Sequence, residues 1–288
     1  MFAFVILHYL AEEMTCECVD KLIARFKDRP IHIVVVDNGS ANGSGARLQE
    51  KYAAQELVTV LLSGENLGFA RGNNIGYSWA KAQLNPDYMI IMNNDVLVED
   101  ATFLDKIAEI HAETDFHVLG PDIYACKARR HQNPIRLKPR TRQEVQRFID
   151  QRKRWMACYP LHYYKELMRT ALKKKEAAPA PAADRHTRRL INPVLHGACY
   201  IFSRAFIEAE DSAFHPGTFL YYEEYILHYL CMGKGYKMVY DPGIAVTHLE
   251  DVSTRKGFRN GCRRAKMKDE NLMKSAGILL KMMEQENT

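Results

Sequence analysis

No apolar run in this 288-residue sequence approaches the roughly 18 residues that cross a bilayer, so a spanning helix is not expected. Met1-Phe2-Ala3-Phe4-Val5-Ile6-Leu7 has no basic residue ahead of it and runs into His8 and Glu12. It reads as a buried strand rather than a signal peptide. No C-x-x-C occurs, and the seven cysteines are scattered, with Cys16 and Cys18 the one close pair. An odd, dispersed set suits a reducing compartment in which thiols act as small core residues, and a cytoplasmic protein is expected. The familiar phosphate loops are missing too. Gly39, Gly43 and Gly45 do not make G-x-G-x-x-G, and there is no G-x-x-x-x-G-K-[ST], which argues against a dehydrogenase and a P-loop NTPase. A bound pyrophosphate would therefore need a metal ion and basic side chains.

Positive charge is present in excess, and it is uneven. Lys and Arg number 40 against 35 Asp and Glu. Nineteen of those cations and five of those acids fall between Lys127 and Arg189, so the rest of the chain is net acidic. Within that stretch cations and aromatics interleave: Arg129-Arg130, Arg152-Lys153-Arg154-Trp155, Tyr163-Tyr164-Lys165 and Lys173-Lys174-Lys175. Such a surface suits anionic lipid or a lipid-linked substrate. A solvated helical face is the plainer alternative; nucleic acid is a third and is not the partner expected.

Elsewhere short strands and helices alternate. Phe2 to His8 and Ile31 to Val36 read as strands, the second apolar on consecutive positions as if covered on both faces. Glu12 to Phe26, Ala46 to Ala54 and Ala70 to Leu84 read as helices, and Leu57 to Leu62 and Tyr88 to Met92 as further strands. This pattern predicts an α/β fold with a mostly parallel, Rossmann-like sheet flanked by helices. It spans residues 1–125, breaks for a basic helical insertion at 126–191, resumes over 192–256 and ends in a helix within 257–288. In the insertion Gln143 to Tyr164 and Leu167 to Lys175 look helical, and Ala177-Ala178-Pro179-Ala180-Pro181 reads as linker. Asp241-Pro242-Gly243 reads as a turn between strands Lys237 to Tyr240 and Ile244 to His248.

Three strands end on polar residues: His8-Tyr9, Asp37-Asn38 and Asn93-Asn94-Asp95. In a parallel sheet those ends share one rim, where ligands of open α/β sheets bind. Asp95 beside two amides can hold a divalent cation through oxygen, or it can close an Asx turn before the next helix. Asp37 can accept from a base or ribose, or be a satisfied turn carboxylate. Glu223-Glu224 at a helix start can offer a general base or complement the helix dipole.

Taken together, five segments carry a resemblance. Val34-Val-Val-Asp-Asn-Gly-Ser40, Asn66-Leu-Gly-Phe-Ala-Arg-Gly-Asn-Asn-Ile-Gly76, Asn93-Asn-Asp95, His196-Gly-Ala-Cys-Tyr-Ile-Phe202 and Phe219-Leu-Tyr-Tyr-Glu-Glu224, with a later His248, resemble glycosyltransferase family 2. Those are inverting enzymes of GT-A fold, among them rhamnosyltransferases of bacterial surface polysaccharides. The resemblance makes 1–125 the nucleotide-sugar half and 192–256 the acceptor and catalytic half. It implies donor contacts from Asp37, Asn66, Gly68, Arg71, Asn74, Asn93 and Asn94, to which position at a strand end adds His8 and Tyr9. Arg255 and Lys256, just past His248, can close over the diphosphate or be ordinary surface charge. Asp95 and His248 would ligate Mn2+ or Mg2+. Glu224, seconded by Glu223, would deprotonate the acceptor. The sequence departs from the family in having an amide at residue 93, and in Tyr225 and Ile226 where another acid is common.

The resemblance further implies a UDP- or dTDP-linked donor and a glycan acceptor, polyprenyl-linked if the basic insertion meets the inner face of the cell membrane. A homodimer is compatible with it. A sugar nucleotidyltransferase is the rival enzyme, but it needs a Gly-rich N-terminal loop that Phe2 to Thr15 lacks. A non-catalytic glycan- or polyanion-binding protein is the rival from another class.

Overall fold

A computed structural model describes residues 1–173, 186–250 and 261–285. One sheet runs through it in the order β3 (Val58–Leu62), β2 (Ile31–Asp37), β1 (Phe2–His8), β4 (Tyr88–Asn93), β9 (Cys199–Ser203), β6 (Val118–Ala125), β10 (Met238–His248) and β5 (Val96–Leu97). The pairs among β3, β2, β1 and β4 are parallel, as is β6 with β10. Strand β9 runs antiparallel between β4 and β6. The α/β sheet is mostly parallel, as the alternation of strands and helices implied, and β9 makes it mixed.

Side-chain alternation divides the strands between two cores. Phe4, Ile6, Ile33, Val35 and Ile90 face one side with Leu22 and Phe26 of α1 (Glu12–Phe26) and Ile107 of α4 (Phe103–Thr114). Ala3, Val5, Val34, Val36 and Ile91 face the other with Tyr77 of α3 (Gly68–Leu84) and Leu227 of α8 (Glu223–Gly233). Each fully buried Val, Leu, Ile or Phe side chain among them contributes on the order of 1.5–3 kcal/mol. Coverage on both faces explains why the strands read as unbroken apolar runs.

A third core binds the insertion to the rest. Val145 and Ile149 of α5 (Arg142–Ala157) meet Ile226 of α8 and Ala276 and Leu279 of the terminal helix Gly261–Gln285. Helix α8 therefore faces two cores at once, the sheet with Leu227 and the insertion with Ile226. No helix among the described residues is long and apolar enough to cross a membrane.

Two expectations change. The helix read through Tyr164 instead breaks at Cys158, and α6 (Tyr159–Lys173) starts afresh. Pro160 is the reason: it lacks an N–H and is tolerated only in a first turn. Residues 241–243 do not end a strand; β10 passes through them, with a register shift between Asp241 and Ala245 that accommodates Pro242 at a bulge.

Candidate functional site

The carboxyl ends of β1, β2 and β4 do share one rim, and a cleft of about 810 Å³ opens on it. Its walls include Tyr9, Asn66, Gly68, Asn93, Asn94, Asp95, His248, Glu223 and Glu224. Residues 95, 224 and 248, far apart in the chain, thus surround a single space. Its size suits a small-molecule ligand.

One end holds Asp95 and His248. Pairing of His248 with Val96, and a hydrogen bond from the Leu249 N–H to the Asp95 carbonyl at 2.9 Å, bring the two residues side by side. His248 Nε2 lies 3.2 Å from Asp95 Oδ1. Neighbouring ligands of an octahedral ion, each about 2.1 Å from the metal, stand about 3 Å apart, so this pair fits two adjacent positions on one divalent cation. Among the described residues no cluster of three or more His, Cys, Asp or Glu adds a further protein ligand. The other positions would fall to substrate oxygens and water.

The two glutamates line the same cleft. Tyr221 and Tyr222 both take left-handed backbone angles, with φ of 69° and 76°, and turn the chain so that α8 begins on Glu223. Such conformations cost about 1–3 kcal/mol each and persist where the surroundings enforce them. Tyr222 is enforced by its ring, which packs on Phe148 of α5 and on Tyr225. Glu223 is buried, and its Oε1 has no hydrogen-bond partner. Burial, and then the charge of Glu224, push its carboxyl up to about 8. Burial raises Glu224 as well, but the backbone N–H groups of Glu224, Gly197 and Tyr222 oppose the shift. Burial raises both carboxyls, but Glu224 is held by more backbone N–H groups, which favour its charged form, and is the better placed of the two to accept a proton. A β-carbon on Gly197 would stand 3.0 Å from Glu224 Oε1, tighter than side chains ordinarily pack, so glycine leaves room for this contact.

His196, a residue given no role by sequence, also lines the cleft. Its Nδ1 accepts the Ala198 N–H at 3.1 Å, and its ring centroid lies 6.2 Å from that of His248. Burial, then His248 and Arg130, lower its pKa to about 4, so it is a neutral wall. Lys127 and, on the terminal helix, Lys268 also line the cleft. Long-range packing alone brings them there, and no local spacing announces it.

Four expected donor contacts lie off the cleft. His8 is fully buried and bonds Thr15 Oγ1 and Ser44 Oγ, both at 2.7 Å, tying the starts of α1 and α2 (Ser44–Lys51) to the sheet. Asn74 grips the backbone of Phe214 twice, donating at 2.7 Å and accepting at 3.0 Å. Asp37 turns inward under Gly45 and accepts the Ser40 N–H. Arg71 is exposed on the first turn of α3. Arg255 and Lys256 lie outside the described residues. Asn38, not Asp37, lines the cleft at the end of β2, and it binds the Gly68 carbonyl and the Leu67 N–H at 3.1 and 2.9 Å.

The loop of residues 66–69 is clasped to the loop that carries the glutamates. The Phe69 N–H donates to the Phe219 carbonyl at 2.6 Å, and a β-carbon on Gly68 would overlap that same oxygen. With φ at 79°, Gly68 also takes a conformation that side chains disfavour.

A family model described as Glycosyl transferase family 2 matches residues 3–209. The low-salt glycan biosynthesis hexosyltransferase Agl10 of Haloferax volcanii is 24% identical over 123 residues, 42% of this chain and 36% of that protein. The chain thus aligns with little more than a third of that relative. Mannosyltransferase PcManGT of Pyrobaculum calidifontis, solved with GDP-Man and Mn2+, has a TM-score of 0.53 at 14% identity, covering 94% of this chain and 69% of that one. GalNAc-T7, solved with UDP, GalNAc and Mn2+, has a TM-score of 0.57 at 16% identity, covering 86% and 44%. At such identities these structures speak for the fold.

Proposed function

Because the chain belongs to glycosyl transferase family 2, we propose that it moves a hexose or deoxyhexose, rhamnose among the candidates, from a nucleoside-diphosphate donor to an acceptor hydroxyl with inversion. The observation that carries this is the single cleft on which Asp95, His248, Glu223 and Glu224 converge. Glu224 takes the acceptor proton as the hydroxyl oxygen attacks the anomeric carbon, and the bond from that carbon to the diphosphate breaks on the opposite face. Asp95 and His248 hold Mn2+ or Mg2+, and a divalent ion there supplies positive charge against the departing diphosphate. Lys127 and Lys268 add charge at the same cleft. Tyr9, Asn66, Asn93 and Asn94 shape the donor side.

A uridine or thymidine diphosphate sugar is the donor we favour, and a panel that also includes guanosine donors tests the choice. Metal-dependent release of nucleoside diphosphate is the expected result, and Asp95→Ala should reduce it at least about a hundredfold. Release of pyrophosphate would instead identify a nucleotidyltransferase. No turnover with any donor would leave a binding protein.

We place the acceptor on a lipid carrier, with the protein peripheral at the inner face of the cell membrane. Helix α6 supports this. Leu161, Tyr164, Leu167 and Met168 recur at helical spacing along it and are 68%, 60%, 53% and 67% exposed, within the strongly basic stretch of the chain. An apolar stripe flanked by cations matches an anionic lipid surface. The protein should float with vesicles containing phosphatidylglycerol and not with neutral ones. Leu161→Gln with Met168→Gln should abolish flotation and spare transfer to a water-soluble acceptor. Equal flotation of this variant, or self-association in place of vesicle binding, would remove α6 from the role.

A further inference from the structure

The imidazole of His248 is not free to choose which nitrogen it offers, and the constraint begins two side chains away. The carboxylate of Glu250, an acceptor, takes the Ala128 N–H at 2.7 Å on one oxygen and the side-chain amide of Gln132 at 3.1 Å on the other. That contact turns the Gln132 nitrogen towards Glu250 and its oxygen towards His248. Gln132 Oε1 then lies 2.7 Å from His248 Nδ1. An amide oxygen only accepts, so Nδ1 carries the hydrogen. In the neutral ring Nε2 is left as a bare lone pair, and Nε2 is the atom that faces Asp95.

Gln132 is itself well anchored. Its N–H donates to the Ile123 carbonyl on β6 at 2.8 Å, beside the short strand β7 (Arg130–His131). It belongs to the basic insertion, which therefore contributes to the site as well as flanking it. We propose that Gln132, backed by Glu250, is a positioning residue that locks the His248 tautomer and aims Nε2 at the ion shared with Asp95. This rests on the assignment of Asp95 and His248 as metal ligands. Outer partners of ligating histidines act in this way, and their loss typically weakens metal affinity by about 10–100-fold.

Mn2+ titration of the full chain by electron paramagnetic resonance, without donor, tests it. His248→Ala sets the scale of losing the ligand. Gln132→Ala should weaken Mn2+ binding by about 10–100-fold while the metal-free melting temperature stays near that of the parent. Exchanging the two side chains, Gln132→Glu with Glu250→Gln, preserves every hydrogen bond. The relocated carboxylate accepts from Nδ1–H and from the relocated amide, whose oxygen still takes the Ala128 N–H. Affinity should return to within about threefold of the parent, because the tautomer is restored. A residue that merely packed the insertion would lower the melting temperature and leave affinity alone. The inference is overturned if Gln132→Ala binds Mn2+ like the parent while His248→Ala does not. It is overturned equally if the exchanged pair binds as weakly as Gln132→Ala. Should His248→Ala leave affinity untouched, the ligand assignment falls first and takes this inference with it.

Discussion

Glu224→Gln is expected to lose about two to four orders of magnitude in sugar transfer while binding donor and Mn2+ as before. The substitution keeps the size of the side chain and one of the two oxygens that accept the Gly197, Glu224 and Tyr222 N–H groups. What it removes is the basic electron pair, and with it the route by which the acceptor hydroxyl sheds its proton. The comparison with Asp95→Ala is informative because the two defects separate. Removing the ligand should impair metal and donor binding, whereas removing the base should leave binding intact and stop transfer. Donor affinity measured by calorimetry alongside turnover distinguishes them. Undiminished transfer by Glu224→Gln would mean that another group accepts the proton, and Glu223 would be the first to examine.

Glu223→Gln should stabilise the folded protein at alkaline pH by an amount that grows with pH. The folded-state pKa of Glu223 is raised from the ordinary 4.5 to about 8, burial being the chief cause. Between those values the unfolded chain binds fewer protons than the folded one, so the folded state loses stability as pH rises through that window. Above it the full cost of a buried, poorly satisfied carboxylate is present, on the order of a few kcal/mol. Glutamine never ionises and escapes it. Thermal melts of the two proteins should nearly coincide at about pH 4 and diverge progressively towards about pH 9, with the variant melting higher. Parallel melting curves would mean that Glu223 is solvated. A carboxylate kept at such a cost is more readily understood at a working site than in a scaffold.

Much of the fold was legible because the strands are buried on both faces. Unbroken β-branched runs such as Ile31 to Val36 have few other structures open to them, and the short helices between them force parallel crossovers. Boundaries failed where one residue redirected the chain, as Pro160 does at the start of α6 and Pro242 within β10. At the site, a strand end and an acidic pair pointed to Asp95, Glu223 and Glu224, and the family resemblance added His248; all four line the cleft. The same rule misled for His8 and Asn74. A polar side chain near a strand end or helix start can turn sideways to brace its neighbours, and spacing does not reveal which way it turns. His196 stood in a matched segment but without a role. Gln132 and Lys268 carried no signal, because Lys268 reaches the cleft, and Gln132 the imidazole behind its wall, through contacts distant in sequence. The match to the family model ends at residue 209, before α8 and β10 supply both glutamates and the imidazole.

The clasp between Phe69 and Phe219, reinforced by Asn74 on Phe214, has a consequence for the order of events in a turnover. A displacement of the first loop to admit one substrate must pull on the second, and so reset where the proton acceptor stands before the other substrate arrives. Occupancy of one half of the cleft would then be felt in the other as a change in apparent affinity, equal in both directions by thermodynamic necessity.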